Sequence, residues 1–195
     1  MCHRKNTPPT FFMPYMAVNT DDGQAMFELM LMRHAKSDWH SHAADIDRPL
    51  NGRGSHDAVR IGVHLNQVDL VPDKMIISPA QRTRQTAALL LENLPVAEEQ
   101  VIVDKELYLA DTETMCEIIE LYAAENQRLL ILAHNPGMDE LVSYLASTPP
   151  SLSSNGKLMT TCAVACFQLA SAEQLAKPGR AELRYLFRPK EIAAA

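Results

Sequence analysis

The chain has 195 residues, of which 47% are hydrophobic and 22% charged, a balance that suits one globular domain with a real core. The formal net charge of -6 argues against a broad electrostatic grip on nucleic acid or an anionic membrane, and no apolar run approaches the ~20 residues needed to span a bilayer. The four cysteines, Cys2, Cys116, Cys162 and Cys166, form no Cys-x-x-Cys pair, so neither a disulfide framework nor a metal knuckle is indicated and a reducing, cytoplasmic setting is expected.

Residues 1–26 begin with basic His3, Arg4 and Lys5 before Phe11, Phe12 and Met13, but Pro8, Pro9 and Pro14 interrupt the apolar stretch. A disordered leader is expected there rather than a signal peptide. Folding signals start at Phe27: Phe27 to Met32 reads as a buried strand. Residues 35 to 51 are polar and read as a loop, followed by a helix from about Gly54 to Gln67. Lys74 to Ile77 gives a second strand. Ser78 and Pro79 then read as cap and first turn of a helix reaching about Asn93. Val101 to Val103 is a third strand. Asp111 or Thr112 caps a helix with Met115, Ile118, Ile119 and Tyr122 on one side. Arg128 to Ala133 is another strand, and Asn135 and Pro136 repeat the cap-and-turn signal for a helix through about Ser147. After a Ser- and Pro-rich loop, Thr161 to Leu169 and Ala181 to Phe187 read as a closing hairpin. Cys162 and Cys166 would share one face of the first of these strands, as buried thiols. Strands alternating with helices predict an α/β fold with both sheet faces covered: one three-layer α/β/α domain over 27–190, a mixed, mostly parallel central sheet, and a short tail over 191–195.

Three predicted strands end in reactive side chains. The first ends at Arg33 and His34, the second at Ser78 with Arg82 just beyond, the fourth at His134. Ligands of open α/β sheets bind beyond the carboxyl ends of the strands, so two arginines and two histidines are expected to converge on one cleft. Phosphoryl transfer needs positioning and charge stabilisation above all. Arg33 and Arg82 can fork onto phosphoryl oxygens, a neutral His34 can attack phosphorus, and His134 can donate to an oxygen as its charge changes. The mechanism needs no metal or cofactor, and His40 and His42 beside Trp39 have no evident third ligand.

The stretch Leu31-Met32-Arg33-His34-Ala35-Lys36-Ser37 resembles the signature of the histidine phosphatase superfamily. Ala35, where the wider superfamily often has Gly, is the form of the branch resembling SixA-type phosphohistidine phosphatases. Asp47-Arg48-Pro49-Leu50 with Gly54, Ser78 through Ala87, Glu106-Leu107-Tyr108, Ala133-His134-Asn135-Pro136-Gly137 and Phe187-Arg188-Pro189-Lys190 follow in that group's order. The resemblance covers about residues 28 to 190. It implies a phosphoglycerate mutase-like fold, His34 as phosphate acceptor, and Arg33, Arg82 and His134 as the rest of the phosphate pocket. Ala133 departs from a position where Gly is common.

Other members of the candidate site keep two readings. Ser37 donates to phosphate or to its own loop; Arg48 lines the pocket or pairs with Asp45 or Asp47. Glu106 is a general acid for the leaving oxygen, as in mutase-like relatives, or orders its loop. Lys36 and Arg84 read as rim charges. Short segments between strand ends predict an open cleft with Trp39 on its rim, suited to a phosphorylated side chain on a protein. The expected partner is therefore a phosphorylated protein, with a small phosphate ester as the alternative and a phosphate-recognition module without hydrolysis as the alternative of another class.

Overall fold

The computed structural model describes residues 26–192. The expected leader, apart from Met26, and the last three tail residues lie outside them. Glu191 and Ile192, expected in the tail, contact the rest of the chain: Glu191 pairs with Arg188 at 2.8 Å, and the Ile192 carbonyl accepts from Arg60 at 2.6 Å.

The strands are β1 (Phe27–Arg33), β2 (Lys74–Ile77), β3 (Val101–Val103), β4 (Arg128–Ala133), β5 (Val164–Leu169) and β6 (Glu182–Phe187). The helices are α1 (Gly52–Gln67), α2 (Gln81–Leu91), α3 (Thr112–Ala123) and α4 (Gly137–Leu145). One six-stranded sheet has the order β3-β2-β4-β1-β5-β6. β3, β2, β4 and β1 are parallel, while β5 runs antiparallel to both β1 and β6. The expected mixed, mostly parallel sheet is thus present.

Period-2 alternation splits each central strand between two cores. Leu29 and Leu31 of β1, Leu129 and Ile131 of β4, and Ala165 and Phe167 of β5 pack with Met115, Ile119, Leu141 and Leu145 of α3 and α4. Met30 and Met32, Leu130 and Leu132, and Val164 and Cys166 face Ala58, Ile61, Leu65, Ala87 and Leu90 of α1 and α2. All of these are essentially buried. A sheet apolar on both faces needs a helical layer on each.

Three boundaries differ from expectation. Ser78 and Asn135 do not cap helices: α2 starts after Ala80 and α4 after Pro136, neither with a side-chain cap. Cys162 lies outside the strand, at φ 65°, although it packs into the same core as Cys166. Its N–H donates to the carbonyls of Arg33 and His34, both at 3.1 Å. This closes the end of β1 by a turn rather than a ladder. Asp111 does cap α3, its side chain accepting from the Thr114 N–H at 2.9 Å.

Candidate active site

β2, β4 and β1 are neighbours, so their carboxyl ends open side by side. The chain leaves β1 toward the α1–α2 layer and leaves β4 toward the α3–α4 layer. Diverging exits from adjacent strands leave a crevice between them, the place where α/β sheets bind ligands. His34 and His134 follow these two strands, and their ring centroids are 5.1 Å apart. Arg82, in the first turn of α2, reaches both rings: Nε lies 3.3 Å from His34 Nε2 and Nη2 lies 3.2 Å from His134 Nδ1.

The hydrogen bonds fix the imidazole tautomers. Arg82 donates to His34 Nε2, so that nitrogen presents a lone pair and the proton sits on Nδ1, donated to the Ala35 carbonyl at 2.7 Å. By the same logic His134 carries its proton on Nε2, 2.7 Å from Ser78 Oγ, and accepts at Nδ1. The segment after His34 is pinned by the Ala35 N–H donating to Thr86 Oγ1 at 3.1 Å. Thr86 Oγ1 in turn donates to the Arg82 carbonyl at 2.6 Å. Gly54 allows the close approach behind this segment, since a Cβ there would lie 2.1 Å from the Lys36 carbonyl oxygen.

Burial first, then the charges of neighbouring His134, Arg82 and Arg33, push His34 down to about 3, against the raising effect of the Ala35 carbonyl. Burial and then Arg82 hold His134 at about 4, with Asp45 acting the other way. Both rings are neutral at physiological pH. A buried neutral imidazole whose Nε2 lone pair is held only by an Arg82 N–H, a donor that a bound phosphoryl oxygen would draw off, is a competent nucleophile toward phosphorus.

The structure brings Arg33, His34, Arg82 and His134 together. Arg33 is half-buried, its Nη1 donating to the Met159 carbonyl at 2.8 Å, and its charge acts on both imidazoles. For Arg48 the ion pair is the arrangement found: Nη2 lies 2.7 Å from Asp45 Oδ1, and the guanidinium stacks 3.6 Å from the centroid of the Trp39 ring. Ser37 is buried in a bridge with Leu50. Glu106 is exposed on a 3₁₀ turn, and its N–H donates to the Asp104 side chain at 2.9 Å. From that motif it is Tyr108 that meets the site, edge-on to His134 at 5.6 Å between centroids.

Two contributors escaped the sequence reading. Asp45 Oδ2 accepts from Arg82 Nη2 at 3.0 Å and from the Tyr108 hydroxyl at 2.8 Å, and the Asp45 carbonyl accepts from Arg82 Nη1. Burial raises the Asp45 carboxyl, but the bonds from Tyr108 and Arg82 and the charges of Arg82 and Arg48 outweigh it and keep it ionised. Asp45 therefore holds Arg82 from behind. The sequence hinted at Asp45 only through its spacing from Arg48 and at Tyr108 only through the motif it shares with Glu106; nothing joined the two across 63 residues. Among the described residues, no three His, Cys, Asp or Glu side chains are grouped to hold a metal ion.

The model of the histidine phosphatase superfamily (branch 1) matches residues 29–118, a span that includes Arg33, His34 and Arg82. The chain belongs to the histidine phosphatase superfamily. An uncharacterized protein of Mycobacterium tuberculosis is 34% identical over 116 residues, covering 60% of this chain and 70% of that one. The fold matches the protein histidine phosphatase SixA complexed with tungstate at TM-score 0.70 and 22% identity, covering 84% of this chain and 98% of the other. It also matches the putative phosphohistidine phosphatase SixA from Nakamurella multipartitia at TM-score 0.69 and 26% identity, covering 84% and 96%. The expected phosphoglycerate mutase-like fold is thus the fold of this superfamily.

Proposed function

We propose that this protein is a phosphatase that removes phosphate from phosphohistidine, or another phosphorylated residue, on a protein, through a covalent intermediate on His34. The observation that carries the reading is the His34 ring itself: neutral, its proton tied to the Ala35 carbonyl, its Nε2 accepting from Arg82, and its centroid 5.1 Å from that of His134. Nε2 attacks phosphorus in line, the P–N bond to the substrate imidazole breaks, and that nitrogen takes a proton from solvent. Water then attacks phosphohistidine 34, releasing inorganic phosphate and restoring the neutral ring. Arg82 and Arg33 balance the oxygen charges in both steps. His134 Nδ1 takes a proton from solvent as the phosphoryl charge arrives beside it, donates it to an oxygen, and returns it to solvent when phosphate leaves.

Two features favour a phosphorylated protein over a small phosphate ester. An alkoxide leaving group needs a protonated acid, whereas Asp45 is held ionised and Glu106 stands exposed on its turn. A labile P–N bond needs little such help. The rim also carries exposed Trp39, Ile46 and Leu109, flanking the residues that hold Arg82. Grouped apolar side chains of this kind suit contact with a protein surface. Such a partner, with no nucleic acid or membrane in the reaction, fits a cytoplasmic phosphatase. No helix among the described residues is long and apolar enough to cross a membrane.

The test is phosphate release from a histidine-phosphorylated protein by the wild type beside His34→Ala. The variant is expected to lose more than about 10³-fold in rate. Unchanged hydrolysis by the variant would show that His34 is not the nucleophile. Binding of the phosphoprotein with no phosphate release by the wild type would instead establish a recognition module, and turnover of small esters alone would establish the metabolite reading.

A further inference from the structure

A second cleft, of about 300 Å³, adjoins the candidate active site and shares Arg33 with it as a wall. Its lining gathers six cations, Arg33, Lys36, Arg53, Lys157, Arg188 and Lys190, in a chain whose net charge is -6. Two of these are neutralised: Arg53 lies 3.3 Å from Asp57 and Arg188 lies 2.8 Å from Glu191. Arg33, Lys36, Lys157 and Lys190 make no ion pair with any described residue. Arg33 Nε is moreover buried without a hydrogen-bond partner. Arg33 feels only the longer-range charge of Asp139, and the three lysines have no paired carboxylate, so an anion placed among these cations relieves their mutual repulsion.

The cleft is a built feature. Arg188, 3% exposed, donates to the Leu158 carbonyl at 3.0 Å and the Ser151 carbonyl at 2.5 Å as well as to Glu191. It thereby ties the end of β6 to the loop that carries Lys157. Arg33 fixes the same loop from the other side through the Met159 carbonyl. Lys157 and Lys190 themselves are exposed, so the cleft opens to solvent. Its volume is at the small end of ligand pockets, roughly 300–1,000 Å³, which suits a few side chains entering from outside.

We propose that this cleft binds an acidic segment of the substrate protein adjacent in space to the phosphorylated residue, so that carboxylates seated on Lys36, Lys157 and Lys190 steer and hold the substrate while its phosphoryl group reaches His34. The proposal rests on the phosphoprotein reading above and adds what the partner must look like: acidic next to its phosphohistidine.

The experiment uses the full chain and two synthetic phosphohistidine peptides, one with glutamates around the phosphorylated residue and one with glutamines in their place. At low salt the wild type is expected to have kcat/KM on the order of tenfold higher for the glutamate peptide, mainly through KM, with the advantage fading as salt screens it. Lys157→Glu with Lys190→Glu should erase that preference and leave the glutamine peptide within about twofold of wild type. The milder pair Lys157→Gln and Lys190→Gln, with an unchanged Tm, should give a partial loss and so separate charge from misfolding. Equal wild-type rates for both peptides, or an equal slowing of both by the variants, would overturn the cleft's role and leave the phosphohistidine reading standing. Hydrolysis of neither peptide would overturn that reading and this inference with it.

Discussion

The side chain on which the site turns is Arg82. It is 2% exposed, and its guanidinium meets His34, His134 and both the side chain and the main chain of Asp45. A phosphoryl group entering between the imidazoles would take over the edge of Arg82 that now faces them, while Asp45 keeps hold of the far edge. A lysine cannot do both, because one ammonium replaces a rigid fork of donors. Arg82→Lys should therefore fold but lower kcat/KM by roughly 10²-fold, measured on any substrate the wild type turns over, with circular dichroism as the check on folding. A loss below about threefold would mean that the fork is not the working feature. The reactive quartet was legible because each member sits at a strand end or first helical turn, positions that sequence periodicity locates. Asp45 and Tyr108 were not, because their bond joins two loops with no local pattern, and only the folded chain brings them together.

Secondary-structure elements were legible where packing alone decides them. β2, β3 and β4 have the bounds that their apolar runs predict. The starts of α2 and α4 were misread for a shared reason: the residue expected to cap is used elsewhere. Ser78 Oγ is engaged with His134 Nε2, and Asn135 Nδ2 donates to the Met159 carbonyl at 3.4 Å. The site has drawn off both side chains that local rules assign to helix termini. The beginning of α4 is also where packing is tightest. A Cβ on Gly137 would lie 2.2 Å from the Ala110 carbonyl oxygen and 2.9 Å from Met115 Cε. Gly137→Ala must push α4 away from the segment that carries Tyr108 against His134. It should cost about 1–3 kcal/mol of stability and lower activity as well. Gly52→Ala, at the first residue of α1 with nothing within 4 Å of its Cβ, is the control. If urea denaturation shows the two variants equally stable, the close approach at Gly137 is not a real constraint.

At the scale of the whole molecule, two apolar sheet faces and alternating elements made the three layers readable from sequence, whereas the path of neutral histidine burial became visible only in three dimensions. That burial links the site to global stability. His34 and His134 are 8% and 3% exposed and titrate near 3 and 4 in the folded chain, against an ordinary value of 6.5. The unfolded chain therefore binds more protons than the folded one between about pH 6.5 and pH 4, so stability rises with pH across that window. Equivalently, the contribution of keeping these rings neutral is fully present above pH 6.5 and is lost as the pH falls toward the folded values of about 4 and about 3. The slope approaches ~1.4 kcal/mol per pH unit for each histidine. Urea midpoints should thus fall steeply from pH 6.5 to pH 5, a range that lies above the ordinary titration of carboxylates. Replacing both rings, as His34→Asn with His134→Gln, should flatten this part of the curve although the doubly substituted protein is inactive. A wild-type midpoint that stays level from pH 7 to pH 5, or an equally steep fall in the double variant, would show that the two imidazoles are not the groups held neutral by the fold.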